Sequence, residues 1–175
     1  LLGACGGALA WMLLEWKFQR HPSLLGIVTG SVAGMVGITP ACGYVGPVGA
    51  ICVGALTVPF CMACVRLIKQ RFQLDDAFDV FAIHGTGGIV GGLLTPIFAL
   101  PLLGGQGYIA GRDLFGQLGV NASSIAFSIV FSAITSWVAI KITAFVCRGL
   151  RVDQEAEFDG LDLTTHGEVG YRHSN

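Results

Sequence analysis

The chain has 175 residues, of which 53% are hydrophobic and 12% are charged, and its mean hydropathy is +0.71. Soluble domains carry about a quarter charged residues, so this composition excludes an ordinary soluble protein and indicates a membrane protein. The net charge of −1 excludes a basic nucleic-acid-binding protein.

Five apolar segments are candidates for spanning helices, because about 20 apolar residues cross ~30 Å of hydrocarbon. They cover residues 1–16, 23–38, 45–68, 78–100 and 121–146. The sequence therefore predicts an all-α polytopic membrane protein, with a transmembrane region over residues 1–148 and a tail over residues 149–175. The chain opens on Leu1 without an initiator methionine or a signal peptide, so we expect it to be the C-terminal part of a longer protein.

Basic residues in the connections between these segments predict the orientation. Seven fall in the first connection, the third connection and the tail, namely Lys17, Arg20, Arg66, Lys69, Arg71, Arg148 and Arg151. Only Arg112 falls in the second or fourth connection. By the positive-inside rule the first group is cytoplasmic, and the C-terminus lies in the cytoplasm.

The second helix carries Gly26, Gly30 and Gly34, and small residues at every fourth position let membrane helices pack closely. Residues 38–47 follow, with two prolines and two glycines that require irregular backbone. The carbonyls around Thr39 would either bind a cation at a pore entrance or be satisfied inside a compact re-entrant loop.

The third helix contains Cys61 and Cys64, which have the spacing of a redox or metal motif. They have no second cysteine pair and no nearby histidine, so we interpret them as packing residues.

The fourth helix carries two ionisable residues, Asp79 near its start and His84 about one turn deeper. Ionisable side chains inside a membrane are costly and mark functional sites. The residues on the helical face of His84 are Val80, Gly88, Gly91 and Thr95. This face predicts a narrow, largely dry path containing one proton-exchanging group, because a neutral imidazole both donates and accepts hydrogen bonds.

No other histidine or carboxylate lies at comparable depth, so the sequence predicts no metal site. It offers no second axial ligand for a haem either. Asp79 is expected to stabilise the helix N-terminus, with direct substrate contact as the alternative.

The fifth helix carries serines at every fourth position, Ser124, Ser128, Ser132 and Ser136. They would form a helix–helix seam or, alternatively, line a water-filled pore, and the seam is favoured. The tail beyond Arg148 is acidic and poor in apolar residues, which predicts a solvated and mobile segment.

Three segments resemble signatures of the ammonium transporter (Amt/Mep) family: residues 38–46, residues 79–91 and residues 158–168. They occur in the family's order and on the predicted sides, and the segment around His84 is most similar to the bacterial members.

The resemblance implies a homotrimer of eleven-helix, inverted-repeat subunits in which this chain supplies spans seven to eleven. His84 would be the second of two pore histidines, and Val80 and Ile83 would form apolar pore wall. The substrate would be ammonium, ammonia or methylammonium, with neither cofactor nor enzymatic activity. The first histidine, the phenylalanine gate and the outer recruitment site belong to spans that the sequence lacks, so we expect no conduction by this chain alone.

The resemblance also assigns a regulatory tail, whose motif residues are Gly160, Asp162, His166, Gly167 and Glu168. The tail would pack on the cytoplasmic loops, couple subunits and lie near the docking site of a PII-type signalling protein, in a bacterial cytoplasmic membrane.

Two alternatives remain open at this point. The first is an ammonium sensor on the same fold, disfavoured because sensors often append a further cytoplasmic domain after the tail motif. The second is a cofactor-binding electron carrier of the membrane, which a haem spectrum of the full-length protein would test.

Overall fold

The structure, a computed structural model, describes residues 1–109 and 111–169, and these residues are all-helical, as the sequence predicts. The α-helices are α1 (Leu2–Gln19), α2 (Leu24–Ile38), α3 (Pro47–Arg66), α4 (Thr86–Phe98), α5 (Leu114–Val146) and α6 (Gln154–Asp159). Leu67–Phe72, Phe81–Gly85 and Asp162–His166 are π-helical, and Pro101–Leu103 is a 3-10 turn.

Local sequence sets several helix ends. The Ser23 hydroxyl caps α2 by accepting the amide of Gly26 at 2.9 Å. Pro47 opens α3, where its missing N–H costs nothing. The α5 helix begins at Leu114 rather than at residue 121, because the Asp113 carboxylate accepts the amide of Gly116 at 2.8 Å and caps an earlier, glycine-containing turn.

Three helical stretches in the described part of the chain are long and apolar enough to cross a membrane: Pro47–Phe72, Phe81–Phe98 and Leu114–Val146. The apolar helix α2 has 15 residues, or about 22 Å, which is shorter than the hydrocarbon layer. Length and composition therefore support three of the five predicted spans.

Glycine backbones bring α1, α2 and α3 into close contact. An added Cβ at Gly34 would collide with the Gly3 carbonyl, and one at Gly30 would collide with Cβ of Trp11. A Cβ at Gly54 on α3 would collide with the Gly3 carbonyl from the other side. The every-fourth spacing on α2 thus places its small residues against α1, as expected for membrane helices.

The chain divides into two compact units, Leu1–Phe127 and Ser128–Asn175. The first contains α1 to α4 and the first turns of α5. The second contains the remainder of α5. Of the four predicted seam serines, Ser124 lies in the first unit and Ser128, Ser132 and Ser136 lie in the second, and all four are exposed. Whether those serines form a seam stays a prediction. Of the predicted tail, residues 170–175 lie outside the described residues.

Candidate functional site

His84 lies in the π-helical turn Phe81–Gly85, directly before α4, and its side chain is exposed. Val80, one turn earlier, is 55% exposed. His84 and Val80 thus both lie on the surface of the first unit. The π-helical hydrogen bonding of the turn is a separate feature, because such turns are rare and occur frequently at functional sites.

Ile83 has the opposite environment, because only 2% of it is exposed. It packs in a hydrophobic cluster with Trp11, Ala33, Val58, Cys61 and Met62. The Cys61 thiol lies 3.7 Å from the Ile83 carbonyl and donates to it. Ile83 thus packs behind the histidine, and its side chain does not share the exposed surface of His84.

The faces of α4 are occupied differently. An added Cβ at Gly88, one turn after His84, would meet nothing within 4 Å, whereas one at Gly91 would collide with the Gly37 carbonyl of α2. Thr95 is also buried, at 8% exposure. The open face therefore comprises Val80, His84 and Gly88, and the sequence-based extension of this face to Gly91 and Thr95 is wrong. The reason is coverage by a neighbouring helix: Gly88 and Gly91 both lie in the regular α-helix α4, but the backbone of α2 packs against Gly91 and not against Gly88.

Two aspartates organise the entry to this helix. Asp76 accepts the backbone amides of Phe81 and Ala82 at 3.4 and 3.1 Å, so it performs the capping that the sequence suggested for Asp79. Asp79 instead lies 2.8 Å from Lys69 Nζ, and its own carbonyl accepts the amide of Ile83 at 2.8 Å. Asp79 adopts a left-handed φ of 56°, which an aspartate tolerates better than most residues. The ion pair joins the π-helical stretch Leu67–Phe72, which follows α3, to the segment that leads into the turn Phe81–Gly85, which carries His84.

The loop after α2 is compact. The Thr39 hydroxyl donates to the Met35 carbonyl at 2.7 Å, and the Ala41 carbonyl accepts the amide of Tyr44 at 2.9 Å. The Tyr44 carbonyl in turn accepts the amide of Gln106 at 2.9 Å. The Ala41 and Tyr44 carbonyls are thus satisfied within the protein, and cation binding by the carbonyls around Thr39 stays a prediction.

A cavity of about 250 Å³ lies between the end of α4 and the start of α5. Its lining includes Thr95, Pro96, Tyr108, Arg112, Gln117 and Asn121. The Tyr108 hydroxyl donates to the Pro96 carbonyl, and burial, with a smaller contribution from Asp113, raises the pKa of Tyr108 above its ordinary value. The Tyr108 hydroxyl therefore joins the loop before α5 to the end of α4.

Polar side chains near this cavity form a relay that sequence reasoning missed. Arg112 Nη1 donates to Gln117 Oε1 at 3.2 Å, and Gln117 Nε2 donates to Asn121 Oδ1 at 3.0 Å. Asn121 Nδ2 donates to the Gly92 carbonyl at 2.8 Å. A sequence signal was present, because Pro96 follows Gly92 by four residues and cannot donate a helical hydrogen bond to it.

The tail motif forms two linked turns. Asp153 Oδ1 caps α6 at the Ala156 amide at 2.8 Å, and Gly160 ends this helix with a φ of 92°. The Asp162 carbonyl accepts the amide of Glu168 at 2.8 Å, across a turn closed by Gly167 with a φ of 65°. Within this motif, His166 and Glu168 are exposed. Residues 153–168 thus carry helix caps and turns of their own, and the mobility predicted from composition stays a prediction.

Among the described residues no group of three or more histidine, cysteine or acidic side chains is arranged to hold a metal ion. Cys61 is a free, buried cysteine inside the hydrophobic cluster. This environment suits the packing role predicted for it.

Comparison with known proteins places these features in a family context. Residues 1–171 match the profile of the Ammonium Transporter Family. The chain is 42% identical over 165 residues to the ammonium transporter of Aquifex aeolicus, which covers 94% of this chain and 38% of that protein. It is 38% identical over 174 residues to the ammonium transporter of Bacillus subtilis, which covers 98% of this chain and 42% of that protein.

Solved structures show the same similarity in three dimensions. A sensor Amt protein aligns with a TM-score of 0.81 at 25% identity, over 94% of this chain and 40% of that chain. Saccharomyces cerevisiae Mep2 aligns with a TM-score of 0.73 at 29% identity, over 88% of this chain and 36% of that chain. The chain spans 38–42% of the length of the two curated relatives that it matches.

Proposed function

The chain belongs to the ammonium transporter family, and from this premise we propose that the full-length protein carries ammonium or ammonia across a membrane. The family is one of transporters and not of enzymes. Because the chain covers less than half of its relatives, the activity is assigned to the full-length protein, and we expect this portion alone to be inactive.

The observation that carries the proposal is the exposed imidazole of His84 on an apolar, open helical face. Val80 precedes it by one turn, and open space lies beside Gly88 one turn later. A charged ammonium ion stripped of water would cost tens of kcal/mol in an apolar medium, whereas neutral ammonia costs far less. An imidazole in such a path can accept a hydrogen bond from ammonia and exchange a proton with it.

The neighbouring residues take supporting roles in this proposal. Val80 forms part of the apolar pore wall, and Ile83 supports that wall from the buried side, anchored in the hydrophobic cluster. Asp79 and Lys69 hold the start of the His84 segment at the pore entrance. Thr39 is assigned a structural role at the end of α2.

The architecture proposed for the full-length protein is an eleven-helix subunit, in which α1 to α5 correspond to spans seven to eleven. The described residues of α5 include none that are buried, so its apolar surface requires lipid or neighbouring protein around it. We propose a homotrimer with the basic connections and the tail in the cytoplasm. The exposed tail motif would then be accessible to a PII-type signalling protein.

The experiment that tests transport compares His84→Ala with the exposed loop variant His21→Ala in the full-length protein. We expect His84→Ala to lower methylammonium uptake about tenfold or to reduce ammonium-over-potassium selectivity, since losing one hydrogen bond of ~1.5 kcal/mol suffices for that change. His21→Ala should match the wild type, because this histidine lies outside the His84 face. Wild-type flux and selectivity in His84→Ala would contradict the assigned role.

The structural similarity to the sensor Amt protein supports ammonium sensing as a second candidate function. The two functions differ in flux. A transporter produces sustained uptake that scales with its amount in the membrane, whereas a sensor binds ammonium without comparable flux. Uptake measured in proteoliposomes at several protein densities separates them.

A further inference from the structure

We propose that Asn121 is a positioning residue, which replaces the hydrogen-bond donor missing at Pro96 and so holds the His84-bearing helix against α5. The helical partner of the Gly92 carbonyl would be the amide of residue 96, and proline has no amide hydrogen. Asn121 Nδ2 lies 2.8 Å from this carbonyl and donates to it.

The position of Gly92 makes this compensation important. Gly92 and Pro96 are both buried, and a carbonyl without a donor inside a membrane costs several kcal/mol. An added Cβ at Gly92 would lie 2.9 Å from Ile125 Cδ1, so α5 already approaches this turn closely. Asn121 and Ile125 are one turn apart on α5, and together they contact the turn of α4 that the proline weakens.

The relay orients the Asn121 amide. Its Oδ1 accepts from Gln117 Nε2, and Gln117 Oε1 accepts from Arg112 Nη1, so every member donates toward α4. With Oδ1 occupied, the Asn121 NH₂ group is directed at the Gly92 carbonyl. The donor chain thus runs from a guanidinium in the connection to the buried backbone of α4.

The link to the candidate pore is the rigidity of α4. Gly92 lies eight residues after His84, or ~12 Å along a helix. Helices bend where a proline removes a hydrogen bond, and a side chain that restores the bond limits the bend. Losing the Asn121 bond would therefore let α4 reorient and move His84 relative to the rest of its path.

A double-mutant cycle between Asn121→Ala and Pro96→Ala tests the pairing in the full-length protein. Alanine at position 96 restores a backbone donor, so Asn121→Ala should lower the melting temperature by several degrees next to Pro96 and by less than half as much next to Ala at that position. Ser123→Ala is the control on the same helix, because its hydroxyl bonds to the Gly119 carbonyl of α5 itself. Pro59→Ala, in α3, is the control for removing a helical proline, and it should not rescue Asn121→Ala.

Transport tests the positioning role, which rests on the proposed function. We expect Asn121→Ala to lower the maximal rate of methylammonium uptake about threefold or more, with less than about a twofold change in half-saturating concentration, because capture is unaffected. The double variant should regain the rate of Pro96→Ala.

Three outcomes would overturn the proposal. The melting-temperature changes of Asn121→Ala and Pro96→Ala could be additive, as expected if cavity water replaces Asn121, or Pro59→Ala could rescue Asn121→Ala. The third outcome is a lower melting temperature of Asn121→Ala with an unchanged maximal rate of uptake. If the wild type shows no uptake, the transport proposal fails, whereas the melting-temperature cycle still decides whether Asn121 compensates for Pro96.

Discussion

At the scale of single residues, the buried carboxylate of Glu15 shows how this protein provides hydrogen-bond partners for an ionisable side chain. Its carboxylate is 7% exposed and accepts from Trp11 Nε1 at 3.1 Å and from the Ser23 amide at 2.8 Å. The Ser23 hydroxyl lies within 3.2 Å of both carboxylate oxygens. An added Cβ at Gly26 would collide with the same carboxylate. Glu15 therefore links the end of α1 to the start of α2 through hydrogen bonds. Its full set of hydrogen-bond donors is consistent with a structural role.

Replacing this carboxylate should destabilise the protein. We expect Glu15→Ala to lower the free energy of unfolding by ~1–3 kcal/mol, because it leaves the buried indole N–H of Trp11 and the amide of Ser23 without their acceptor. Glu15→Gln, which retains one acceptor oxygen, should fall between that variant and the wild type. The exposed Glu157→Ala serves as the control, and an equal loss of thermal stability in both alanine variants would contradict the role of Glu15.

At the scale of the helix, α4 is divided between a packed side and an open side. Gly91 lies against the Gly37 backbone, whereas the position beside Gly88 is open. The two glycines are three residues apart on one helix, and the sequence does not show which of them is covered. Whether each glycine is packed or open depends on whether a neighbouring helix lies against it.

The contrast between these glycines gives a matched pair of variants. Gly91→Ala should cost ~1–3 kcal/mol of stability, because its Cβ meets backbone that cannot move aside. Gly88→Ala should leave stability unchanged or raise it by up to about 1 kcal/mol, since alanine is the better helix former. If the open face lines the pore, Gly88→Ala should still slow methylammonium uptake by narrowing it. Thermal melting and uptake of both variants check this, and equal stability losses would contradict the assignment of the two faces.

At the scale of the whole molecule, the chain forms two units, and the tail belongs to the second. The tail has its own caps, Asp153 at the start of α6 and the two positive-φ glycines Gly160 and Gly167. A segment with this internal structure is able to present a defined surface to a binding partner. That is consistent with the regulatory role proposed for the tail.

Deleting residues 153–175 from the full-length protein tests this role. We expect uptake to fall while the proposed trimer persists, because the tail is proposed to couple subunits without forming the pore. Methylammonium uptake and the oligomeric state in detergent are the two measurements. Transport at the wild-type rate after the deletion would show that the tail is dispensable.

The sequence by itself determined the membrane class, the all-helical architecture and the family. These rest on composition, on apolar run length and on the motifs around His84 and in the tail, which are all properties of contiguous residues. The close packing of α2 on α1 was also foreseeable, because the spacing of its glycines is local.

Only the tertiary structure decided which residues face which neighbour. It buried Ile83 behind His84, it gave helix capping to Asp76 and paired Asp79 with Lys69, and it ended the open face of α4 at Gly88. It also joined Asn121 to Gly92, 29 residues apart in the chain. The physical reason is that a helical period predicts a face, but only the neighbouring segments determine what covers that face and which amides and charges lie within reach of its side chains.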